Sequence, residues 1–437
     1  MATRALRIAY YGDDFTGATD TLATATQGGL RTLLFLRVPT PELLAAAGDL
    51  DCLGIAGASR SMAPSAMEHE LLPVAAFLAE LDTPVVHYKT CSTFDSAPDV
   101  GNIAVAVRVL SAALPGRFLP IVGGQPNIGR YCVFGHLFAA AEAGGTVLRI
   151  DRHPMARHPV TPMTESDLRL HLERQGLKNI KSAAYPVYDA PPDVLDRAVE
   201  HAAEEGDALL FDVTRPGDLA AVGRAIWQQA RRRGLVAVGP SGVTQALCAH
   251  WHDTGEVRVP EGSPSVRAAE GPVFVMAGSL SPVTRRQVEA ASDFARIEID
   301  PVRLGRGDAD YVSTGVQRVA DILNSGRSVI AHTVPFGERP ADQSLPGLSL
   351  AQETGKFVAR LLSRVRLRRL GVAGGDTSSW TLRALDVWGL SFVGHLAPGV
   401  ALCRAHSTSK DLDGIEMMLK GGQMGQVDLF QRLQDGG

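Results

Sequence analysis

Two adjacent carboxylates, Asp13 and Asp14, follow a partly β-branched apolar run (Leu6, Ile8, Ala9, Tyr10) and the turn residue Gly12, and Thr16-Gly17-Ala18-Thr19 comes directly after them. The pattern predicts a strand, a tight turn and a helix start, with the helical segment spanning Thr21 to Gln27. In open α/β sheets the carboxyl ends of the strands face the crevice where ligands bind. Acids placed there can accept a proton from a hydroxyl or hold a cation. Asp13 and Asp14 are therefore the first catalytic candidates, although Asp14 or Thr16 alone could equally cap the helix. Gly12 and Gly17 share the spacing of the phosphate loop G-x-x-x-x-G-K-[ST], but Ala18 stands in place of the lysine and two negative charges occupy the turn, so that reading is rejected.

Two more strand candidates end in polar clusters, Gly57-Ala58-Ser59-Arg60-Ser61 and Lys89-Thr90-Cys91-Ser92-Thr93. If these strands lie parallel to the first, Arg60, Lys89 and Ser92 converge on the ligand that faces the two acids, and the cations suggest an anionic group on it. Taken singly, Arg60 or Lys89 reads as an ordinary surface charge. Gly123 to Arg130 and Arg152 to Pro159 are rich in Gly, Pro, Asn and His and read as ordered loops rather than helix. His153 and His158, five apart around a proline, make poor metal-ligand geometry. Thr164 resembles a helix cap with Asp167 three residues on.

A second set of turns offers different chemistry. Val273 to Met276 empties into Gly278-Ser279-Leu280-Ser281-Pro282-Val283-Thr284, and Leu370 to Ala373 empties into Gly374-Gly375-Asp376-Thr377-Ser378. Both precede helix-like segments, where unpaired N–H groups and the helix dipole favour phosphate. With Lys420-Gly421-Gly422-Gln423-Met424-Gly425 as a third such turn, a polyphosphate ligand is expected.

The elements that must position these groups alternate. Strand candidates at Thr32 to Leu36, Cys52 to Ala56, Pro84 to Tyr88, Ala208 to Asp212 and Leu235 to Val238 are separated by helix-like segments at Pro41 to Ala47, Ala66 to Leu81 and Leu219 to Arg232. That alternation predicts parallel strands with crossover helices. Trp251 to Gly271 loses the periodicity and reads as a linker. The expected organisation is two α/β domains with largely parallel sheets, at residues 1–250 and 272–437, joined by 251–271, with the ligand site in the cleft between them.

The 437 residues carry a formal charge of −4, with 45% hydrophobic and 21% charged side chains, values of an ordinary globular protein without a nucleic-acid footprint. Five cysteines show no CxxC pair or zinc spacing, and no apolar run suits a membrane span or signal peptide. A cytoplasmic setting is expected, with no nucleic-acid or membrane partner. A homodimer is compatible with this reading.

Across nearly its whole length the chain resembles the four-carbon acid sugar kinases, which phosphorylate erythronate, threonate and 3-oxo-tetronate with ATP. Gly12-Asp13-Asp14-Phe15-Thr16-Gly17-Ala18 is similar to the family's A-D-D-x-T-G-A, with Gly12 for the first alanine. Gly278 to Thr284 resembles G-S-x-S-x-x-T, Gly374 to Ser378 matches G-G-D-T-S, Lys420 to Gly425 matches K-x-G-x-x-G, and Gly129-Arg130 with Gly135-His136 resembles G-R…G-H. The resemblance implies an amino-terminal sugar-acid domain and a carboxyl-terminal nucleotide domain. By position, Asp14 would be the base or orient the hydroxyl, with Asp13 second. Arg60, Lys89, Thr90, Cys91, Ser92, Asp95 and Arg130 would contact the acid. Ser279, Ser281, Gly374, Gly375, Asp376, Thr377 and Gly421 would contact ATP, with Mg2+ carried by the nucleotide and Asp376.

The chain departs from the family where many members read K-x-D-S-T-L-R-G. Here Cys91 replaces an acid and Asp95 stands where arginine is usual. This variant resembles the branch associated with 3-oxo-isoapionate. Because Asp95 only accepts hydrogen bonds, a pocket it faces should favour a branched or oxo acid over plain threonate or erythronate; the alternative is that Asp95 turns away and caps the following helix. Two other functions remain to be weighed. A nicotinamide-dependent dehydrogenase needs G-x-G-x-x-G after a strand, absent at both Gly12 and Gly278. A non-catalytic sugar-acid sensor would not need intact loops in both halves.

Overall fold

The structure, a computed structural model, describes residues 6–112, 114–141, 144–158, 160–206, 208–262, 265–278, 281–333 and 347–437. Two compact units divide the chain, Met1–Gly262 and Ser263–Gly437.

In the first unit the strands are β1 (Ile8–Gly12), β2 (Thr32–Phe35), β3 (Cys52–Ala56), β4 (Val85–Lys89), β5 (Leu119–Val122), β6 (Arg130–Val133), β7 (His136–Ala140), β8 (Val147–Arg149), β9 (Ile180–Ala183), β10 (Ala208–Phe211) and β11 (Leu235–Gly239). The order β2-β3-β1-β4-β11-β5-β10-β9 is parallel throughout. Every residue of β1, β3, β4 and β11 is buried, as continuous apolar runs covered on both faces should be.

Register aligns the ends of the central strands. Gly12 of β1 pairs with Ala56 of β3 and Lys89 of β4, and Lys89 pairs with Gly239 of β11. The loops after these strands therefore leave the sheet at one level.

Helix α1 (Phe15–Gln27) starts earlier than the expected Thr21, because Asp14 caps it by accepting the Gly17 N–H. Phe15, Ala18, Leu22 and Ala25 bury one face at 3–4 residue spacing, each large side chain contributing about 1.5–3 kcal/mol. Gly17, Asp20 and Thr24 stay on the half-buried face.

The two stretches read as loops contain the 3-10 turns Pro126–Ile128 and Pro154–Arg157, and between them β6, β7 and β8 form a small antiparallel sheet that the sequence reading did not expect. Asp212, at the end of β10, holds the β6–β7 turn by accepting the Phe134 and Gly135 N–H groups, a long-range tie that composition does not reveal. Asp167, not Thr164, caps the helix Leu168–Glu173. Trp251 lies inside the helix Gly242–Asp253, fully buried and edge-on to Trp227.

In the second unit β12 (Val273–Ala277), β13 (Ala295–Glu298), β14 (Val329–His332), β15 (Arg369–Ala373), β16 (Gly389–Ala397), β17 (Val400–His406) and β18 (Glu416–Lys420) form a sheet. Its order β13-β14-β12-β15-β18 is parallel, and the β16–β17 hairpin adds antiparallel strands beside β18. Ala277, Ala373 and Lys420 are in register, so the turns after β12, β15 and β18 lie side by side. Val273, Val275, Ile330, Leu402, Met418, Phe430 and Leu433 belong to its core. No helix among the described residues is long and apolar enough to cross a membrane.

Candidate functional site

The strand ends of the first unit are tied together by backbone. The Asp13 N–H donates to Lys89 O at 3.0 Å, the Arg60 N–H to Asp13 O at 3.1 Å, and the Gly57 N–H to Gly12 O at 2.9 Å. Above this frame the Arg60 guanidinium forks onto Asp13, through Nη2 at 2.7 Å and Nε at 3.0 Å, and donates to Asp14 through Nη1 at 2.8 Å. Arg60 thus neutralises both acids, and its planar fork suits that geometry.

The two acids end up in different electrostatic states. Burial pushes the Asp13 carboxyl above its ordinary range and outweighs Arg60. For Asp14 burial also acts upward, but Arg60, Lys89, the Thr16 hydroxyl and the Gly17 N–H together hold it below the ordinary value. Asp14 Oδ2 accepts from Thr16 Oγ1 at 2.7 Å and from Arg60, and Oδ1 accepts from Gly17 N at 2.8 Å. With about four acceptor positions on a carboxylate, one on Oδ1 remains. The Asp14 side chain keeps 16% of its surface exposed against 5% for Asp13, so Asp14 is the acid a ligand can reach.

Lys89 is buried and donates to Thr90 O at 2.8 Å. Its Nζ and Asp14 Oδ1 crowd Gly17: a Cβ added there would lie 2.6 Å and 2.4 Å from them. Any side chain there would have to displace the Asp14 carboxylate and the Lys89 ammonium. Beyond Thr90 the chain turns, with Phe94 N–H donating to Cys91 O and Phe94 held at φ +54. Cys91 Sγ lies 3.1 Å from Thr93 Oγ1, and burial, with the Asp95 charge, pushes the thiol up to about 11. It is a neutral side chain at physiological pH, not a nucleophile.

Asp95 Oδ1 accepts from Thr93 Oγ1 at 2.6 Å. It caps no helix; the following helix, Ile103–Ser111, is capped by Asn102. Its charge acts on Cys91, Arg130, His153 and His171. Arg130 Nη1 donates to Ile128 O at 2.8 Å, and its buried Nε has no partner among the described residues. A guanidinium held this way, with no carboxylate in ion-pair distance among the described residues, can still receive one. Ser92 is half-buried. His153 bonds Ala140 O and the Met155 N–H, and His158 bonds Thr161.

In the second unit Ser281 caps the helix Pro282–Ala290 through Val283 N–H at 3.1 Å. The helix Gly375–Ala384 has Gly374 at its N-cap with φ +127, a conformation that needs glycine, and no side chain caps it. A Cβ at Gly375 would meet nothing within 4 Å. Unsatisfied N–H groups facing open space are what a phosphate requires. Thr377 packs against Gly278, where a Cβ would come 2.3 Å from Thr377 Oγ1. Gly421 follows β18, with only Met424 near a Cβ placed there, at 3.5 Å.

Lys420 is fully buried, and its Nζ donates to Thr284 Oγ1 at 2.9 Å and Gly422 O at 3.4 Å. Thr284 Oγ1 in turn donates to Gly422 O at 3.0 Å, and Gln287 Nε2 to Met424 O at 3.1 Å, so the closing loop is fastened to the helix Pro282–Ala290. Burial pulls the Lys420 ammonium down to about 7. Among the described residues no group of three or more His, Cys, Asp or Glu could hold a metal by itself. Asp376, exposed in the first turn of its helix, is a lone hard oxygen donor that fits a cation arriving with phosphates.

The structure thus brings Asp13, Asp14, Arg60 and Lys89 together, and Cys91, Asp95 and Arg130 within electrostatic reach of one another. Ser281, Gly374, Gly375, Asp376, Thr377 and Gly421 sit at adjacent turns of the second unit. Ser279 lies outside the described residues. Sequence reasoning did not single out Asp20, which lies on the same face of α1 as Gly17 and accepts from Ser241 and Gln125, or foresee the burial of Lys420. The three-residue step from Gly17 to Asp20 was the available signal for the first.

Residues 8–247 match the family described as the sugar-binding N-terminal domain and residues 274–430 the nucleotide-binding C-terminal domain. A 3-oxo-isoapionate kinase of Paraburkholderia graminis is 39% identical, with 99% of this chain and 94% of that protein covered. A 3-oxo-tetronate kinase of Cupriavidus necator is 31% identical over 96% and 94%. A solved Salmonella typhimurium LT2 protein, 24% identical, superimposes with a TM-score of 0.77 over 99% of both chains, and a DUF1537-family protein of Haemophilus influenzae, 23% identical, with 0.71 over 98% and 99%. These last two likenesses concern the fold.

Proposed function

Because the chain belongs to the four-carbon acid sugar kinase family, we propose that it transfers the γ-phosphoryl group of ATP to a hydroxyl of a small, branched 3-oxo sugar acid. The observation that carries this reading is Asp14, ionised, reachable, and left with one acceptor position after Arg60, Thr16 and Gly17 have fixed its plane. An alcohol is a poor nucleophile at neutral pH. Phosphoryl transfer runs through a loose transition state in which positioning outweighs basicity. A carboxylate held below the ordinary range orients the hydroxyl and takes its proton late, as bond formation to phosphorus acidifies it. Asp13, raised by burial but bidentate to Arg60, serves chiefly to lock the guanidinium.

Arg130 is the proposed partner of the substrate carboxylate. Asp95, whose charge acts on Arg130, would accept a hydroxyl that a linear four-carbon acid does not place there. The 3-oxo-isoapionate kinase relative supports the branched acid over the linear ones. In the second unit the uncapped turn at Gly374 and Gly375 would take phosphate oxygens, with Ser281, Thr377 and Gly421 around it. Magnesium, bound with the nucleotide, supplies charge neutralisation at the phosphates, and Asp376 is the residue that would meet it.

The test is ATP consumption with 3-oxo-isoapionate, 3-oxo-tetronate, threonate and erythronate. Turnover on the branched 3-oxo acid above the linear acids is expected. Efficient phosphorylation of threonate or erythronate without gain for the branched acid overturns the substrate assignment. No ATP consumption with any acid overturns the kinase.

A further inference from the structure

We propose that Asp20 is a hydroxyl-binding residue of the sugar-acid site, an inference that rests on the sugar-acid kinase reading and extends its contacts along α1. One turn separates Asp20 from Gly17 on the half-buried face of that helix, while Phe15, Ala18 and Leu22 bury the other face. The Gly17 end of this face looks onto Asp14 and Lys89, since a Cβ there would strike both. Asp20 continues the same face beyond them.

The Asp20 carboxylate is held on one oxygen only. Ser241 Oγ donates to Oδ2 at 2.5 Å and Gln125 Nε2 to the same atom at 2.9 Å. Both donors are fully buried, and Thr21 Oγ1 braces Ser241 at 2.9 Å. Ser241 follows β11 and Gln125 follows β5, two neighbours in the sheet, so Asp20 reaches across the strand ends next to β4. Gln125 also exchanges backbone hydrogen bonds with Arg130, which joins this patch to the proposed carboxylate partner.

A purely structural tie between α1 and these loops would need no more than Oδ2. Oδ1 accepts no hydrogen bond from any described residue, and a carboxylate oxygen can only accept. A ligand that reaches Oδ1 must therefore donate, as the hydroxyls of a polyhydroxylated acid do. No cluster among the described residues offers a cation enough further ligands to be the alternative occupant. Two directed donors on Oδ2 fix the carboxylate plane, which is the preorganisation a discriminating hydroxyl contact needs.

The test is Asp20→Asn and Ser241→Ala, assayed with the preferred sugar acid and with its monodeoxy analogues. Asp20→Asn keeps the shape but turns the acceptor into an amide. It should raise KM for the acid more than about tenfold, leave KM for ATP and the thermal midpoint unchanged, and lose its effect on the one analogue that lacks the contacted hydroxyl. Ser241→Ala should shift the same KM in the same direction by a smaller factor. An Asp20→Asn effect of equal size on every analogue, or wild-type KM values, overturns the inference while wild-type turnover preserves the kinase. Absence of turnover by the wild type with any acid overturns the function, and this inference with it.

Discussion

Lys420→Met puts a number on the charge stored beneath the second unit's turns. The side chain is fully buried and, among the described residues, bonded to a hydroxyl and a carbonyl, and burial pulls its pKa from 10.5 to about 7. That difference corresponds to about 5 kcal/mol disfavouring the charged form. The sign follows from proton counting. Between about pH 7 and pH 10.5 the unfolded lysine keeps its proton and the folded one does not, so stability rises with pH through that window by about 1.4 kcal/mol per pH unit. Below pH 7 both states are protonated and the full cost of the buried charge remains. Methionine has no proton to lose, so the variant should lack this slope, whatever offset the lost bonds to Thr284 and Gly422 introduce. Urea unfolding of the full chain at pH 6, 7, 8, 9 and 10 reads the slope. The variant should gain relative to the wild type as pH falls toward 7. Calorimetry of ATP binding at pH 8 in buffers of different ionisation enthalpy gives a second readout: phosphate oxygens near the turns favour the ammonium, so the wild type should take up most of a proton and the variant none. Parallel pH profiles and equal proton uptake in the two proteins would refute the idea that this lysine is neutral in the free protein.

Three further outcomes are expected. A Cβ at Gly375 meets no protein atom within 4 Å, so for Gly375→Val the thermal midpoint should move little, while ATP affinity measured by calorimetry falls at least about tenfold; unchanged affinity removes phosphate from this turn. Asp14→Asn keeps the shape but presents an amide to the Gly17 N–H or the Arg60 fork, and turnover should drop by about 10² to 10⁴ with little change in ATP affinity; near wild-type turnover in a steady-state assay moves the base to Asp13. Asp95→Asn should narrow the preference for the branched 3-oxo acid over threonate by about tenfold in kcat/KM, and an unchanged ratio separates Asp95 from substrate choice.

Much of the architecture was legible because it is written in short-range pattern. The apolar runs of β1, β3 and β12 are fully buried strands of a parallel sheet, and each empties into the polar or glycine turn that marked it. Gly374 and Gly375 could be read as a glycine turn opening a helix because such turns are local, and the backbone at Gly374, with φ +127, does need glycine. Asp14 as a cap was likewise within reach, since a cap acts across three residues.

What the tertiary structure alone decided involves partners far apart in the chain. Arg60 was placed near the acids, yet that its fork would be spent on Asp13 and Asp14, 47 and 46 positions away, depends on the register that sets Gly12 beside Ala56. Asp95 could turn either way from its own residues; Asn102 takes the cap it might have filled, and the Asp95 carboxylate accepts from Thr93 instead. The β6–β8 sheet, between the two stretches read as loops, was not legible because its anchor, Asp212, follows another strand. Periodicity and capping propagate over a turn of helix or a strand's length, whereas desolvation and charge pairing are set by whatever the fold brings within a few ångströms. For that reason the sequence carried the candidate residues and their chemistry, and only the folded chain decided which of them are neutralised, which are buried, and which oxygen is left to meet a ligand.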